Sequence, residues 1–265
     1  MTKEKIIFLG NGKLADYALG ILKNKCEIVF HARTKADLTA VAELKKKDPS
    51  LHAVLASFGV LIKSDLLELF EPEGILNIHP SLLPLYRGAS PIESAILAGD
   101  TVFSVSVMKL VKAMDAGPIY HQETFSDLPL DKDTIYRTLA EAGAAWVAGN
   151  LSHLPTPKPQ NDAEATFTTK LTKEMGLLSP DTDTAEQTLR KIIAYEGYPK
   201  ARYILYGKSC LILKAHLLAS GNTAPLIIKC ADGHLIALDT VQPEGKRPMD
   251  AKSFLNGYAK SVKNV

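Results

Sequence analysis

The chain reads as an α/β protein, a doubly wound, mostly parallel sheet followed by a smaller C-terminal β-barrel of OB-like form. Three observations carry that reading. Through the first half of the chain, short β-branched and apolar runs alternate with helical stretches, the pattern of strands joined by crossover helices. A proline-punctuated stretch, Leu154-Pro-Thr-Pro-Lys-Pro-Gln160, then breaks the alternation and reads as a linker. Beyond it come short strands separated by Gly and Asp turns, the pattern of a small barrel. The expected division is a Rossmann-like domain over 1–155, a linker over 156–167 and the OB-like domain over 168–265.

Each element follows from local pattern. Lys5-Ile6-Ile7-Phe8-Leu9 is a strand, 14–23 a helix and 27–30 a second strand. Residues 36–47 carry apolar side chains near helical spacing and a Lys-rich end, so a helix is expected there. A third strand over 53–57 and a short helix near 66–70 lead to the run Gly74-Ile75-Leu76-Asn77-Ile78. That run is apolar, β-branched and preceded by Pro72 and Gly74, which marks a buried strand. A helix over 91–97, strands over 102–110 and 119–125 and a long helix over 134–154 complete the first domain. In the second, a helix over 185–195 precedes strands at 202–206, 210–215, 226–230 and 235–241, and a helix over 250–258 closes it.

Composition narrows the class. With 46% hydrophobic and 23% charged residues, the chain is an ordinary globular protein. No apolar run approaches the ~20 residues of a membrane span. Met1-Thr2-Lys3-Glu4-Lys5 leads straight into a strand, so no signal peptide, no membrane association and a cytoplasmic location are expected. Cys26, Cys210 and Cys230 are scattered without metal-ligand spacing. They read as small buried hydrophobes in a reducing compartment, and no metal is expected. Residues 161–265 hold 14 Lys and Arg against 11 Asp and Glu. That excess suits nucleic-acid contact and equally suits a solvated mixed face.

Two segments carry chemistry. Asn77 and His79 stand two apart, so on a strand they point to the same side. An amide beside an imidazole can polarise a carbonyl oxygen and move a proton, or can be a hydrogen-bonded structural pair. The loop Pro80-Ser81-Leu82-Leu83-Pro84 is stiff and apolar, well suited to one wall of a pocket. Asp115, in the turn Met114-Asp115-Ala116-Gly117-Pro118 after a strand, is a candidate general base. The alternative is an Asx-turn in which the carboxylate caps its own backbone.

Together, Asn77-Ile-His79-Pro80-Ser81-Leu82-Leu83-Pro84 and the downstream Asp115-Ala-Gly-Pro resemble the folate-dependent formyltransferases. The segments 162–174 and 242–257 look like entry to, and exit from, the C-terminal domain of the methionyl-tRNA formyltransferases. The resemblance implies formyl transfer from 10-formyltetrahydrofolate to the α-amine of methionine on initiator tRNA. It implies Asn77 and His79 as donors to the oxyanion and Asp115 as the group that orients His79 and accepts the amine proton. Ser81, Leu82, Leu83 and Pro84 are then expected to line the folate pocket, with backbone around Phe58, Gly59, Val60 and Leu61 reading the pterin edge. Lys170, Lys173, Lys246 and Arg247 become candidate phosphate contacts, each equally readable as a solvated side chain, and Arg33 falls near the terminal adenosine. Arg87 is either a brace for the loop or a contact to the amine substrate. Initiator methionyl-tRNA and folate are the expected partners of a monomer.

The chain departs from that family in two places. The opening turn is Gly10-Asn11-Gly12-Lys13-Leu14-Ala15 where the family has Gly-Thr-Pro, and the region between Val29 and Ser57 is shorter, keeping only Arg33, Lys35 and Lys45 to Lys47 as basic residues. Gly10-x-Gly12-x-x-Ala15 also matches a dinucleotide-binding fingerprint, although His31 and Arg33 stand where its acid belongs. Three further readings therefore stand beside the first: an amino-sugar nucleotide formyltransferase, an NADP-dependent oxidoreductase and a binding module without catalysis.

Overall fold

A computed structural model describes residues 3–259. It divides into two compact units, the first comprising 1–95 and 100–169, the second 96–99 and 170–265. The outermost residues of the expected domains, 1–2 and 260–265, lie outside the described residues.

The first unit holds a six-stranded sheet. Its strands are β1 (Lys5–Gly10), β2 (Glu27–Ala32), β3 (His52–Ala56), β4 (Ile75–His79), β5 (Val102–Lys109) and β6 (Ile119–Ser126), in the order β2-β1-β3-β4-β5-β6. The pairings among the first four are parallel and β5 is antiparallel to both β4 and β6, so only β5 runs against the rest and the sheet is mostly parallel as expected. Helices α1 (Lys13–Lys25) and α5 (Lys132–Asn150) pack on each other and on the sheet. Gly143 of α5 sits so close to β4 that a Cβ there would meet the Ile78 side chain at 2.6 Å. On the other face, Ile7, Leu9, Ala53, Leu55 and Ile75 join one core with Val41 of α2 (Leu38–Lys47) and with Leu66 and Leu67 of α3 (Ser64–Glu68). Helix α4 (Pro91–Ala98) follows the Asn77 strand and its loop.

The opening turn has a local explanation. Gly10 ends β1 against β3, where a Cβ would fall 2.2 Å from the Ala56 carbonyl oxygen, so only glycine fits. Asn11 uses its amide to bond the Arg33 carbonyl at 3.0 Å, tying the ends of β1 and β2 together. Gly12, at φ 80, then caps the start of α1, so both glycines serve a tight strand-to-helix turn.

The segment expected as a linker, 156–167, falls within the first unit. Lys158 exchanges backbone hydrogen bonds with Ile119 at 2.7 and 2.8 Å, and Arg87 pairs with Thr166 and Thr168 at 2.9 and 2.7 Å. Its prolines leave the chain extended, and an extended chain can satisfy its polar backbone on β6 and on the loop after β4. Helix α5 ends at Asn150, four residues before the expected 154.

The second unit is a curled five-stranded antiparallel sheet, the architecture expected of an OB-like domain. Its strands are β7 (Arg202–Leu205), β8 (Lys208–Leu217), β9 (Ile227–Lys229), β10 (Leu235–Pro243) and β11 (Met249–Asp250). β10 pairs with β8, β9 and β11, and two register shifts along β8 sharpen the curl. Helix α6 (Ala185–Ala194) contributes Ala185 and Ile192 to the core, and α7 (Ala251–Tyr258) contributes the fully buried Phe254.

Candidate active site

The site begins where the apolar face of the sheet runs out. All five residues of β4 are buried. Ile78 faces α5, so alternation sends Ile75, Asn77 and His79 to the opposite face. Ile75 stays in the core, while Asn77, paired with Leu55 of β3, and His79 lie beyond it. Both polar side chains are only 5% exposed.

Asp115 lies in the turn after a strand, as the sequence suggests, but that strand runs against its neighbours. β5 runs antiparallel, and its last residue, Lys109, lies beside Leu76. The loop after β5 brings the acid back over the face of β4. There Oδ1 of Asp115 lies 3.5 Å from Nδ2 of Asn77 and 3.7 Å from Nδ1 of His79. Its other oxygen accepts the Gly88 N–H at 2.8 Å. The carboxylate therefore serves residues distant in sequence and is not an Asx cap.

His79 is oriented from its far side. Its Nε2 lies 3.2 Å from the Tyr86 carbonyl oxygen. A carbonyl can only accept, so this partner assigns the Nε2 proton. The other ring nitrogen, Nδ1, is the one facing Asp115. Tyr86, at φ 58, is anchored by its hydroxyl, which donates to Asp100 at 2.8 Å. Burial, chiefly, and then that carboxylate push its pKa up to about 12, so the anchor persists through the neutral range.

The loop after His79 rests on two residues that sequence reasoning missed, Ser106 and Gln122. The Ser106 hydroxyl donates to the Ser81 carbonyl at 2.6 Å and accepts from the Leu83 N–H at 3.1 Å. Gln122 donates to Ser106 and to the Leu83 carbonyl, both at 2.9 Å. Alternation along β5 and β6 was the only signal, and it does not separate a loop support from any polar strand residue.

The remaining expected positions are distributed as follows. Ser81 and Leu83 are buried, Leu82 is exposed and Pro84 is half-buried. Phe58 is buried, and Leu61 is 79% exposed. Arg87 is a brace, with its guanidinium donating to Oε1 of Gln160 at 3.1 and 2.7 Å and to Asp162 at 2.7 Å. Only 4% of it is exposed. Arg33 is exposed and bonds its own neighbour His31 at 3.3 Å. Lys170, Lys173, Lys246 and Arg247 are all exposed on the second unit. Among the described residues, no group of three or more His, Cys, Asp or Glu could hold a metal, and no helix is long and apolar enough to cross a membrane.

The chain is similar to known proteins over both units. Residues 9–149 match the family described as formyl transferase, and residues 170–259 match the formyl transferase C-terminal domain. The chain is 38% identical over 245 residues to a methionyl-tRNA formyltransferase of Roseiflexus sp. (strain RS-1), covering 86% of this chain and 74% of that protein. A methionyl-tRNA formyltransferase from Clostridium thermocellum has the same fold, with a TM-score of 0.67 at 20% identity over 91% of this chain and 98% of that one. HypX from Aquifex aeolicus, solved in complex with tetrahydrofolic acid, aligns with a TM-score of 0.75 at 19% identity. That match covers 99% of this chain but 48% of HypX, so the chain spans about half of HypX's length.

Proposed function

The chain belongs to the formyl transferase family, and from that premise we propose that it transfers a formyl group from 10-formyltetrahydrofolate to the α-amine of methionine on initiator tRNA, for translation initiation. The acceptor follows the relative named for methionyl-tRNA, which this chain matches over 74% of its length. The observation that carries the chemistry is the convergence of Asn77 and His79 on one oxygen of Asp115. The proposal assigns that chemistry to the first unit and phosphate contacts to the exposed lysines of the second, in a monomer acting in the cytoplasm.

The surroundings fit a flat carrier. Leu61 and Leu82 are exposed apolar side chains near β3 and β4, and a Cβ on Gly59 would meet nothing within 4 Å, so the backbone around Phe58 is open. The donor supplies an activated formyl carbon. As the amine adds to that carbon, negative charge develops on the formyl oxygen, and Asn77 donates a hydrogen bond to it. His79, with its Nε2 proton engaged by Tyr86, receives on Nδ1 the proton that Asp115 takes from the amine; Nδ1 then donates to the oxyanion and gives that proton to the departing folate nitrogen. Asp115 holds His79 in place and takes the proton that the amine loses, directly or through one water. One N–C bond forms, one breaks, and the proton passes from acceptor to leaving group.

Asp115→Asn tests this assignment. It keeps the acceptor for Gly88 and removes the base, so turnover should fall about 10²–10⁴-fold. Near-normal turnover of a folded Asp115→Asn protein refutes the role.

A further inference from the structure

Gln160 lies in the proline-rich stretch that looked like a connector, yet each end of its side-chain amide is engaged at the site. Nε2 donates to the carbonyl of Asp115 at 2.8 Å and to that of Gly117 at 2.7 Å. Oε1 accepts both Nε and an Nη of Arg87. The orientation of this amide is not arbitrary. Arg87 carries donors only, so the oxygen must face it and the NH₂ must face the two carbonyls. Arg87 is fixed in turn by Asp162 and by backbone pairing with Thr166 and Thr168.

Asp115 has particular need of such a support. Its φ is 49°, in the left-handed region that a residue with a Cβ enters only at a cost. That conformation aims the carboxylate at Asn77, His79 and the Gly88 N–H. The Gly88 bond holds the side chain from one end. Gln160 holds the backbone of the same residue from the other, through the carbonyls on either side of Ala116. Arg87 links the two supports, because Gly88 follows it directly and its guanidinium sets Gln160.

We propose that Gln160 is a positioning residue of the transfer, locking the Asp115–Gly117 turn in the strained conformation that delivers the carboxylate to His79. This rests on the formyl-transfer reading above. Gln160 touches no reacting atom, so its removal should act through Asp115 alone. A displaced base costs rate at the chemical step, on the order of 10²-fold for an error near 1 Å, and leaves binding of the donor largely unchanged.

The test is a double-mutant cycle in steady-state formylation with 10-formyltetrahydrofolate and methionyl-tRNA. Gln160→Met removes both sets of bonds. Gln160→Glu keeps an acceptor for Arg87 and removes the donors, which guards against a simple folding failure. In the parent background both should lower kcat, Gln160→Met by about 10²-fold, with donor KM changed by less than about threefold. In the Asp115→Asn background the same substitutions should lower kcat by less than about twofold, since there is no base left to misplace. Equal losses in the two backgrounds, a loss carried by KM, or parent-like kcat for both variants overturns the proposal. The unsubstituted enzyme run alongside separates the two readings. Its failure to formylate refutes the proposed function, whereas normal formylation with unaffected Gln160 variants refutes the positioning role alone.

Discussion

Ser106→Ala probes how firmly the loop after His79 is held. The side chain is fully buried, and its hydroxyl makes three hydrogen bonds, to Ser81, Leu83 and Gln122. Truncation removes all three without orphaning every partner. The Leu83 N–H keeps a 3.2 Å bond to the Ser81 carbonyl, and Gln122 keeps the Leu83 carbonyl at 2.9 Å. Three net contributions of about 0.5–1.5 kcal/mol each give a destabilisation of about 3 kcal/mol at the central value. Trp146, the only tryptophan, lies in α5 of the first unit and stacks on His121 at 5.0 Å. Its fluorescence in a urea titration therefore reports the first unit without interference from the second. The unfolding midpoint should fall, and donor KM should rise because Leu82 loses its support. A change below about 0.5 kcal/mol would mean that the loop holds itself and that this network is incidental.

Three further outcomes are expected. Asn77→Ala should cost about 10²–10³ in kcat with little change in donor KM, measured by initial rates, because one oxyanion donor is lost. His52 has its pKa lowered, mainly by burial, with Lys45 adding to the effect and Glu4 opposing it. Above the unfolded value of about 6.5 the ring is neutral in both states, and below it the unfolded chain binds the proton first. Stability should therefore fall as pH drops from about 6.5 toward the folded value, and His52→Gln should flatten that part of a Trp146 melting series. Lys246→Ala should lower the slope of log affinity for tRNA against log salt by about one contact, and an unchanged slope would return Lys246 to the solvated surface.

The sequence made legible what depends on local pattern. Strands β1 and β3 are apolar after their first residue, and β4 is apolar but for Asn77 and His79, because they are buried on both faces, and that pattern is visible without a structure. Asn77 and His79 could be paired from their spacing alone. What escaped depends on long-range hydrogen bonding. The reversal of β5 changes how Asp115 arrives, and an apolar run does not record its direction. Gln160 looked like a linker residue because its partners lie 45 and 73 positions away. That Arg87 braces the loop through Gln160 and Asp162 was likewise hidden, because those partners lie 73 and 75 positions away. That Leu83 is buried while Leu82 is exposed escaped too, because an apolar loop residue and a core residue read alike in one dimension.

The account is tested most directly by supplying the purified protein with 10-formyltetrahydrofolate and, in separate reactions, methionyl-charged initiator tRNA or an amino-sugar nucleotide, and following the formylated product. The account predicts formyl-methionyl-tRNA, abolished or sharply reduced by Asp115→Asn. Formylation of the sugar nucleotide without formylation of methionyl-tRNA would contradict the assigned acceptor, and full activity of Asp115→Asn would contradict the assigned chemistry.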